Sequence, residues 1–253
     1  MMELHYNWQA ALVTVGLIIA STFLAQKIAF SIPAIAGARA QDREQNKNKW
    51  RDKADKYQQR VPVSQKIGLT FNLGFFVLVL PFIVTLASQP VWKILLDVFL
   101  VMMIYDFFYY LTHRFLFHGN GYFRRVHAVH HQARSRVSSI DSFLLHPWEL
   151  FIGIALFYVV TTSYALVTGQ AFNAITIVIT TLIYTQINQI NHCRIDIDKP
   201  LWKTLNWIAM KHDAHHLDMH RGNFATITLF YDWVFGTVET HPMELEGKTG
   251  LDT

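Results

Sequence analysis

The chain has 253 residues, of which 52% are apolar and only 16% charged, with a mean hydropathy of +0.21. Its charges stand in blocks between long uncharged runs, which excludes an ordinary soluble domain and points to an integral membrane protein. The single cysteine, Cys193, excludes a disulfide framework and a cysteine-rich metal site, and the net charge of +4 fits basic loops beside membrane segments with no nucleic-acid partner.

In chain order, Trp8 to Phe30 is uncharged until Lys27. At about 1.5 Å per residue it is long enough to cross a hydrocarbon core of about 30 Å. No Lys or Arg precedes it and no small-residue cleavage site follows, so it reads as a transmembrane helix (8–32) and not a signal peptide. Gly37 to Lys66 is polar, with nine basic residues (Arg39, Arg43, Lys47, Lys49, Arg51, Lys53, Lys56, Arg60 and Lys66) against four acids (Asp42, Glu44, Asp52 and Asp55). It reads as a solvated helix on the cytoplasmic face; the sharper alternative is a dock for a partner or an anionic lipid. A second span, 67–87, carries Gly74 and Pro81 and ends in the turn Ser88-Gln89-Pro90. A third, 91–112, has Asp97 and Asp106 as its only acids. The fourth, 147–168, and fifth, 171–191, form a hairpin about Gly169.

The contrast between no basic residue before the first span and nine after it places the amino terminus outside and the 37–66 loop in the cytoplasm. Counting crossings then puts 113–146 and everything after Asn191 on the cytoplasmic side, in agreement with Arg114, Arg124, Arg125, Arg134 and Arg136 in that first stretch. The expectation is an all-α integral membrane protein forming one membrane domain over 1–253. It has four to five transmembrane helices and a cytosolic helical cap built from 113–146 and 192–241.

Histidines crowd these inner segments, and imidazole is the commonest protein metal ligand near neutral pH. The first box is His113-x4-His118, the second His127-x2-His130-His131 and the third His212-x2-His215-His216. Positions i, i+3 and i+4 share a helix face, so each triplet is expected to aim its rings at one point. Asp106 lies two helical turns before His113 and is expected to accept that ring's other N–H. His192 follows the fifth span one turn after Asn188, which is placed to hold a metal-bound water. His146, in His146-Pro147-Trp148-Glu149, reads equally as a ligand or as a support; His220 and His241 read as supporting or surface residues, and His5 as unrelated. The nine remaining histidines exceed what one ion takes, so they imply two ions. Zinc is satisfied by four ligands, and two irons with positions open for oxygen fit the surplus better, although softness and count leave zinc open.

The pieces HRFLFH, HAVHH, HPWE, the pair Asn191-His192, HDAHH and the closing stretch NFATITLFYDWVFGT together resemble the fatty acid hydroxylase/sterol desaturase superfamily, over roughly Asp97 to Glu239. The resemblance implies a helical membrane bundle with two irons on its cytosolic side. It also implies oxygen activation with electrons from a separate carrier of ferredoxin or cytochrome type, and attack on an unactivated C–H bond of a lipid. Carried over residue by residue, the ligands are His113, His118, His127, His130, His131, His192, His212, His215 and His216. The sequence departs from members with a His-x3-His pair before the third box, because the earlier position is Asn188. Either His146 supplies a tenth ligand or one iron keeps a water-filled position. Phe107, Phe108, Tyr109, Tyr110, Phe115 and Phe117 read either as the lining of an apolar channel from the bilayer or, ring by ring, as plain packing or an interfacial aromatic belt, and Arg124, Arg125, Arg134 and Arg136 are placed to steer an acidic electron carrier. The rival readings are a zinc-binding membrane protein without oxygen chemistry, with zinc also able to replace iron on purification, and a haem-binding electron carrier. The histidine triplets speak against haem, which needs only one or two axial histidines. Hydroxylation against desaturation, and the identity of the lipid, stay open.

Overall fold

The computed structural model describes residues 5–133, 137–193 and 200–245; Arg134 and Arg136 lie outside them. The described chain is all-α apart from one pair of two-residue strands. Among the described residues four helices are long and apolar enough to cross a membrane: α1 (Trp8–Ala29), α3 (Ala54–Leu78), α5 (Val91–Leu111, continued to Phe117 by a wider turn) and α7 (Pro147–Thr168). A further helix, α8 (Ala174–Asn191), runs inside the bundle against α1 and α5, while α5 also packs on α7 and α7 on α3.

The expected fifth span is this α8. Its last turns carry Gln186, Asn188, Gln189 and Asn191, which leave it outside the set apolar enough to cross a membrane. The expected second span also shifts. α3 begins at Ala54, inside the polar block, and stops at Leu78. Pro81 lacks the N–H that would extend that helix, so the chain makes the short helix α4 (Leu80–Ile83) and then β1 (Val84–Thr85). β1 pairs in parallel with β2 (Phe172–Asn173). Around this pair the far ends of the bundle are tied together. Asn7 N–H donates to the Pro81 carbonyl at 2.8 Å, the Gln89 amide donates to the Ala171 carbonyl at 2.9 Å, and the Asn173 amide donates to the Ala87 carbonyl at 2.9 Å. Asp97, one of the two acids in α5, is paired here with Lys93 at 2.5 Å and accepts from Tyr164 at 3.0 Å, a structural role.

At the opposite end lie α2 (Pro33–Asp52), α6 (Tyr122–His127), the 3₁₀ turns His130–Gln132 and Ser139–Phe143, α9 (Pro200–Leu217), α10 (Phe230–Val234) and α11 (Pro242–Leu245). The reading of α2 as a wholly solvated helix is corrected. Asp42, Asn46 and Lys49, at i, i+4 and i+7, share a face that grips the Ser139–Phe143 turn. Asp42 accepts from Ser139 N–H at 2.8 Å, Asn46 accepts from Ile140 N–H at 3.2 Å, and Lys49 pairs with the buried carboxylate of Asp141. Tyr57 of α3 donates to the same Asp141 at 2.7 Å, and Ser138 to Asp141 forms a capping box.

Candidate metal centre

All nine histidines meet at this end of the bundle, in two groups whose nearest ring nitrogens lie within 4.8 Å of one another. One group holds His113, His118, His127, His131 and His215, the other His130, His192, His212 and His216. The expectation that each box aims at one point is therefore overturned. His127 and His131 go to the first group while His130 goes to the second; His212 and His216 go to the second while His215 goes to the first. Each triplet gives its i, i+4 pair to one centre and its remaining ring to the other.

Local backbone explains the sharing. On an α-helix, residues five apart sit about 140° from each other, too far round to meet. From Thr112 to Phe117 the helix widens to a π-turn, with His118 N–H donating to the His113 carbonyl at 3.0 Å, and brings those two rings to 5.0 Å between centroids. Gly119 ends the turn, because a Cβ there would collide with the Phe115 carbonyl. α6 stops at His127, and the 3₁₀ turn from His130 swings that ring away from its neighbours.

Six of the rings are oriented through Nδ1–H. It donates to the Phe224 carbonyl from His113 (2.6 Å), to Met219 from His118 (2.7 Å), to Leu144 from His130 (3.3 Å), to Asn188 from His192 (2.8 Å) and to Gly222 from His215 (2.7 Å). His127 donates to a Glu149 carboxylate oxygen at 2.7 Å. These bonds fix the tautomer and leave the Nε2 lone pairs facing inward. In two contacts both rings are fixed in this way: His113 to His127 at 3.0 Å and His130 to His192 at 3.1 Å. His131, His212 and His216 join them through Nε2, with His127 to His131 at 3.0 Å, His131 to His215 at 3.1 Å, His192 to His212 at 3.0 Å and His212 to His216 at 3.1 Å. Two lone pairs that face each other repel unless a cation lies between them. Nitrogens bound to one ion at about 2.1 Å and about 90° apart are about 3.0 Å from each other, so the donor set fits two transition-metal ions.

Burial keeps these rings neutral. It pulls His118 down to about 4, with Arg124 and His220 adding to the shift, and His215 down to about 3, with His118 adding. His127, His130, His212 and His216 lie well below the ordinary range for the same reason, reinforced by neighbouring histidines.

Three expectations about supporting residues fail or change. Asp106 does not touch His113. Seven residues rise about 10.5 Å along a helix, beyond hydrogen-bond reach. The carboxylate accepts instead from the N–H groups of Thr226 (3.1 Å), Ile227 (2.8 Å) and Thr228 (3.1 Å). His146 belongs to neither group; its Nδ1 caps α7 by accepting from Trp148 N–H at 3.2 Å. Asn188 orients His192 through its carbonyl, and it also lines a cavity of about 50 Å³ with Tyr105, Tyr109, Glu149, Tyr184 and Ile227. Of the aromatic residues expected to line a channel, only Tyr109 does so. Phe108 and Phe115 are exposed, and Tyr110 packs on Phe224 and Phe235. His220 accepts from Arg124 at 3.2 Å, His241 pairs with Asp213, and exposed His5 lies at the far end.

The residues missed are carboxylates. Glu149 stood inside HPWE, but its contact with His127 depends on tertiary packing. Asp232 accepts from Phe224 and Ala225 N–H at 2.8 and 2.7 Å and so, with Asp106, pins segment 224–228 that carries His113's acceptor. Gly222, whose carbonyl orients His215, lies so close to Thr237 that a Cβ on it would collide with the Thr237 carbonyl oxygen.

With this geometry in hand, comparison with known proteins is direct. A cholesterol 25-hydroxylase-like protein 2 of Danio rerio is 31% identical over 156 residues, covering 58% of this chain and 50% of that protein. A very-long-chain aldehyde decarbonylase of Oryza sativa subsp. japonica is 26% identical over 70% of this chain and 28% of its own length. A methylsterol monooxygenase 2-2 of Arabidopsis thaliana is 29% identical over 58% of this chain and 54% of its own. The chain thus spans about half the length of two of these relatives and under a third of the rice protein. No solved structure matches it. The family model described as fatty acid hydroxylase matches residues 98–237, from the buried face of α5 through every histidine box to the Asp232 loop, and this chain belongs to that family.

Proposed function

We propose that this protein is a membrane-bound di-iron oxygenase that hydroxylates or desaturates an unactivated C–H bond of a lipid, using O2 and electrons from a separate carrier. The observation that carries the reading is the set of converging ring nitrogens: nine imidazoles in two groups beside a cavity lined from α5, α7 and α8. His113, His118, His127, His131 and His215 would hold one ion and His130, His192, His212 and His216 the other. Two bound irons would supply the reductive activation of O2 and the oxidant for C–H cleavage, which side chains alone do not provide. The chain's own residues prepare the place. Carbonyls of segments 219–224 and 144 and the Glu149 carboxylate aim the rings, and Leu150, Ile227 and the aromatic rings of Tyr105, Tyr109 and Tyr184 line the cavity. About 50 Å³ accommodates a few waters or the end of an alkyl chain. Asn188, whose carbonyl orients His192, borders this cavity and is placed to hold a water beside the second group.

The amino terminus lies outside and the histidines on the cytoplasmic side, on the charge argument above. Names of relatives support a lipid substrate, since they include a methylsterol monooxygenase and a cholesterol 25-hydroxylase-like protein. The test is lipid profiling of cells carrying the intact gene or His130→Ala, together with reductant-dependent O2 consumption by the purified protein. Loss of one lipid product in the variant, with the protein still inserted, is expected. A variant with full turnover overturns the site. Metal-loaded wild type that consumes no O2 favours the zinc-binding alternative.

A further inference from the structure

We propose that the groove at the foot of α1 binds the headgroup phosphate of an anionic phospholipid. α1 is an apolar span ending at Ala29, and Ile28 and Ile32 beside its end are exposed, so this is the level at which hydrocarbon gives way to headgroups. α2 turns off there. Its Arg39, Arg43 and Lys47, at i, i+4 and i+8, form one stripe over a groove of about 450 Å³ floored by Phe30, Ala36 and Ala40.

These cations are not neutralised from within. Arg39 and Arg43 have no carboxylate partner among the described residues, and a helical turn apart they repel. Burial and Arg43 together hold the Arg39 guanidinium below its ordinary range. Asp42, beside Arg43 in the sequence, is committed to Ser139 and Asn46. Glu44 reaches only Lys47, at 3.8 Å, and both are exposed, so that pair is weak. Three cations less one acid leave the groove at +2. Arg39 meanwhile sits over the Phe30 ring, its guanidinium carbon 3.5 Å from the centroid, and its N–H groups make no hydrogen bond among the described residues. A cationic rim on an apolar floor at the membrane boundary is complementary to a phosphate attached to acyl chains. It is less suited to a free ion, which would leave the floor uncovered. The inference depends on α1 crossing the membrane and not on the chemistry of the imidazoles.

The test titrates the full-length, metal-loaded protein in neutral detergent with dioctanoyl phosphatidylglycerol, dioctanoyl phosphatidylcholine or inorganic phosphate, read by native mass spectrometry. Phosphatidylglycerol is expected to bind once per chain, at least tenfold tighter than either of the others, and to weaken with salt. The double variant Arg39→Gln/Arg43→Gln should lose at least tenfold in that affinity. Ala40→Trp, which fills the floor and leaves every charge in place, should do the same and decides the matter alone if the double variant does not fold. Equal binding of the two lipids, phosphate binding as tightly as phosphatidylglycerol, or wild-type affinity in a folded variant each overturns the proposal.

Discussion

At the scale of single residues, the centre depends on which nitrogen of each ring carries the proton. Glu149 serves this for His127: both are buried, and an ionised carboxylate at 2.7 Å takes the Nδ1 proton as its hydrogen bond and leaves the lone pair on Nε2. Such outer partners are typically worth about 10–100-fold in metal affinity. Glu149→Ala should therefore lower the affinity of the five-histidine group by about that factor, with little effect on the other group; a titration with divalent cobalt, followed by its ligand-field bands, reads the two separately. Protonation acts on the same rings. His118 at about 4 and His215 at about 3 start from an ordinary 6.5. Between about pH 6.5 and those values the unfolded chain binds protons that the folded chain refuses, so stability falls as pH falls through this window and is fully present above it. Chelator-treated protein in detergent should unfold at a lower temperature at pH 5 than at pH 7.5. A flat profile would mean that these rings are more solvated than their packing indicates.

Among the elements, turn types determine how the boxes are used. The spacing of the histidines was legible in the sequence, and so were the helices that carry them, because apolar runs and imidazole clusters are local signals. Their division between two centres was not legible. It depends on a π-turn at Thr112–Phe117 and a 3₁₀ turn at His130, and neither follows from a one-residue difference in spacing. The same limit explains Asp106: a face was counted but the rise along it was not. The partner of α2 was half legible, since Ser138-x-x-Asp141 is a capping box and Asp42, Asn46 and Lys49 fall on one face, but neither names the other. Their contact has a consequence. Asp141 is fully buried against Lys49 and Tyr57, and breaking a buried ion pair from one side costs about 3–5 kcal/mol. Asp141→Asn should destabilise by about that much and free the turn leading to Leu144, whose carbonyl orients His130. Cobalt affinity of the His130–His192–His212–His216 group should drop while the other group keeps its own. The double change Lys49→Met/Asp141→Asn, which removes the unpaired buried cation and keeps an acceptor for Tyr57 and Ser138, should recover part of that loss, and equal loss at both centres in the single variant would remove the special tie to His130.

For the whole molecule, the hydrogen bonds sort the chain ends of the bundle into two sets. Residues 6–7, 77–90 and 168–173 are bonded to one another at one end, through Tyr6 to Val77, Asn7 to Pro81, Gln89 to Ala171 and the strand pair. α2, the histidine boxes and segment 219–241 gather at the other, through Asp42 to Ser139, His118 to Met219 and Gly222 to Glu239. A membrane that crosses α1, α3, α5 and α7 must separate these sets, because each helix runs from one to the other, and α8, which runs the same way from Asn173 to His192, then passes through with them, packed on α1 and α5. Charge then chooses the orientation. The basic residues of α2 and α6 lie in the second set, and they favour the cytoplasm. Ser88 and Lys47 are both exposed and mark the two ends. In a Cys193→Ser background, Ser88→Cys should react in intact cells with a membrane-impermeant maleimide and Lys47→Cys only after lysis. The reverse pattern would put the imidazoles outside, away from cytoplasmic electron carriers, and the oxygenase reading would then need a reductant on the outer side. Labelling of both in intact cells would mean that the two ends share one compartment, and α1, α3, α5 and α7 would not be spans.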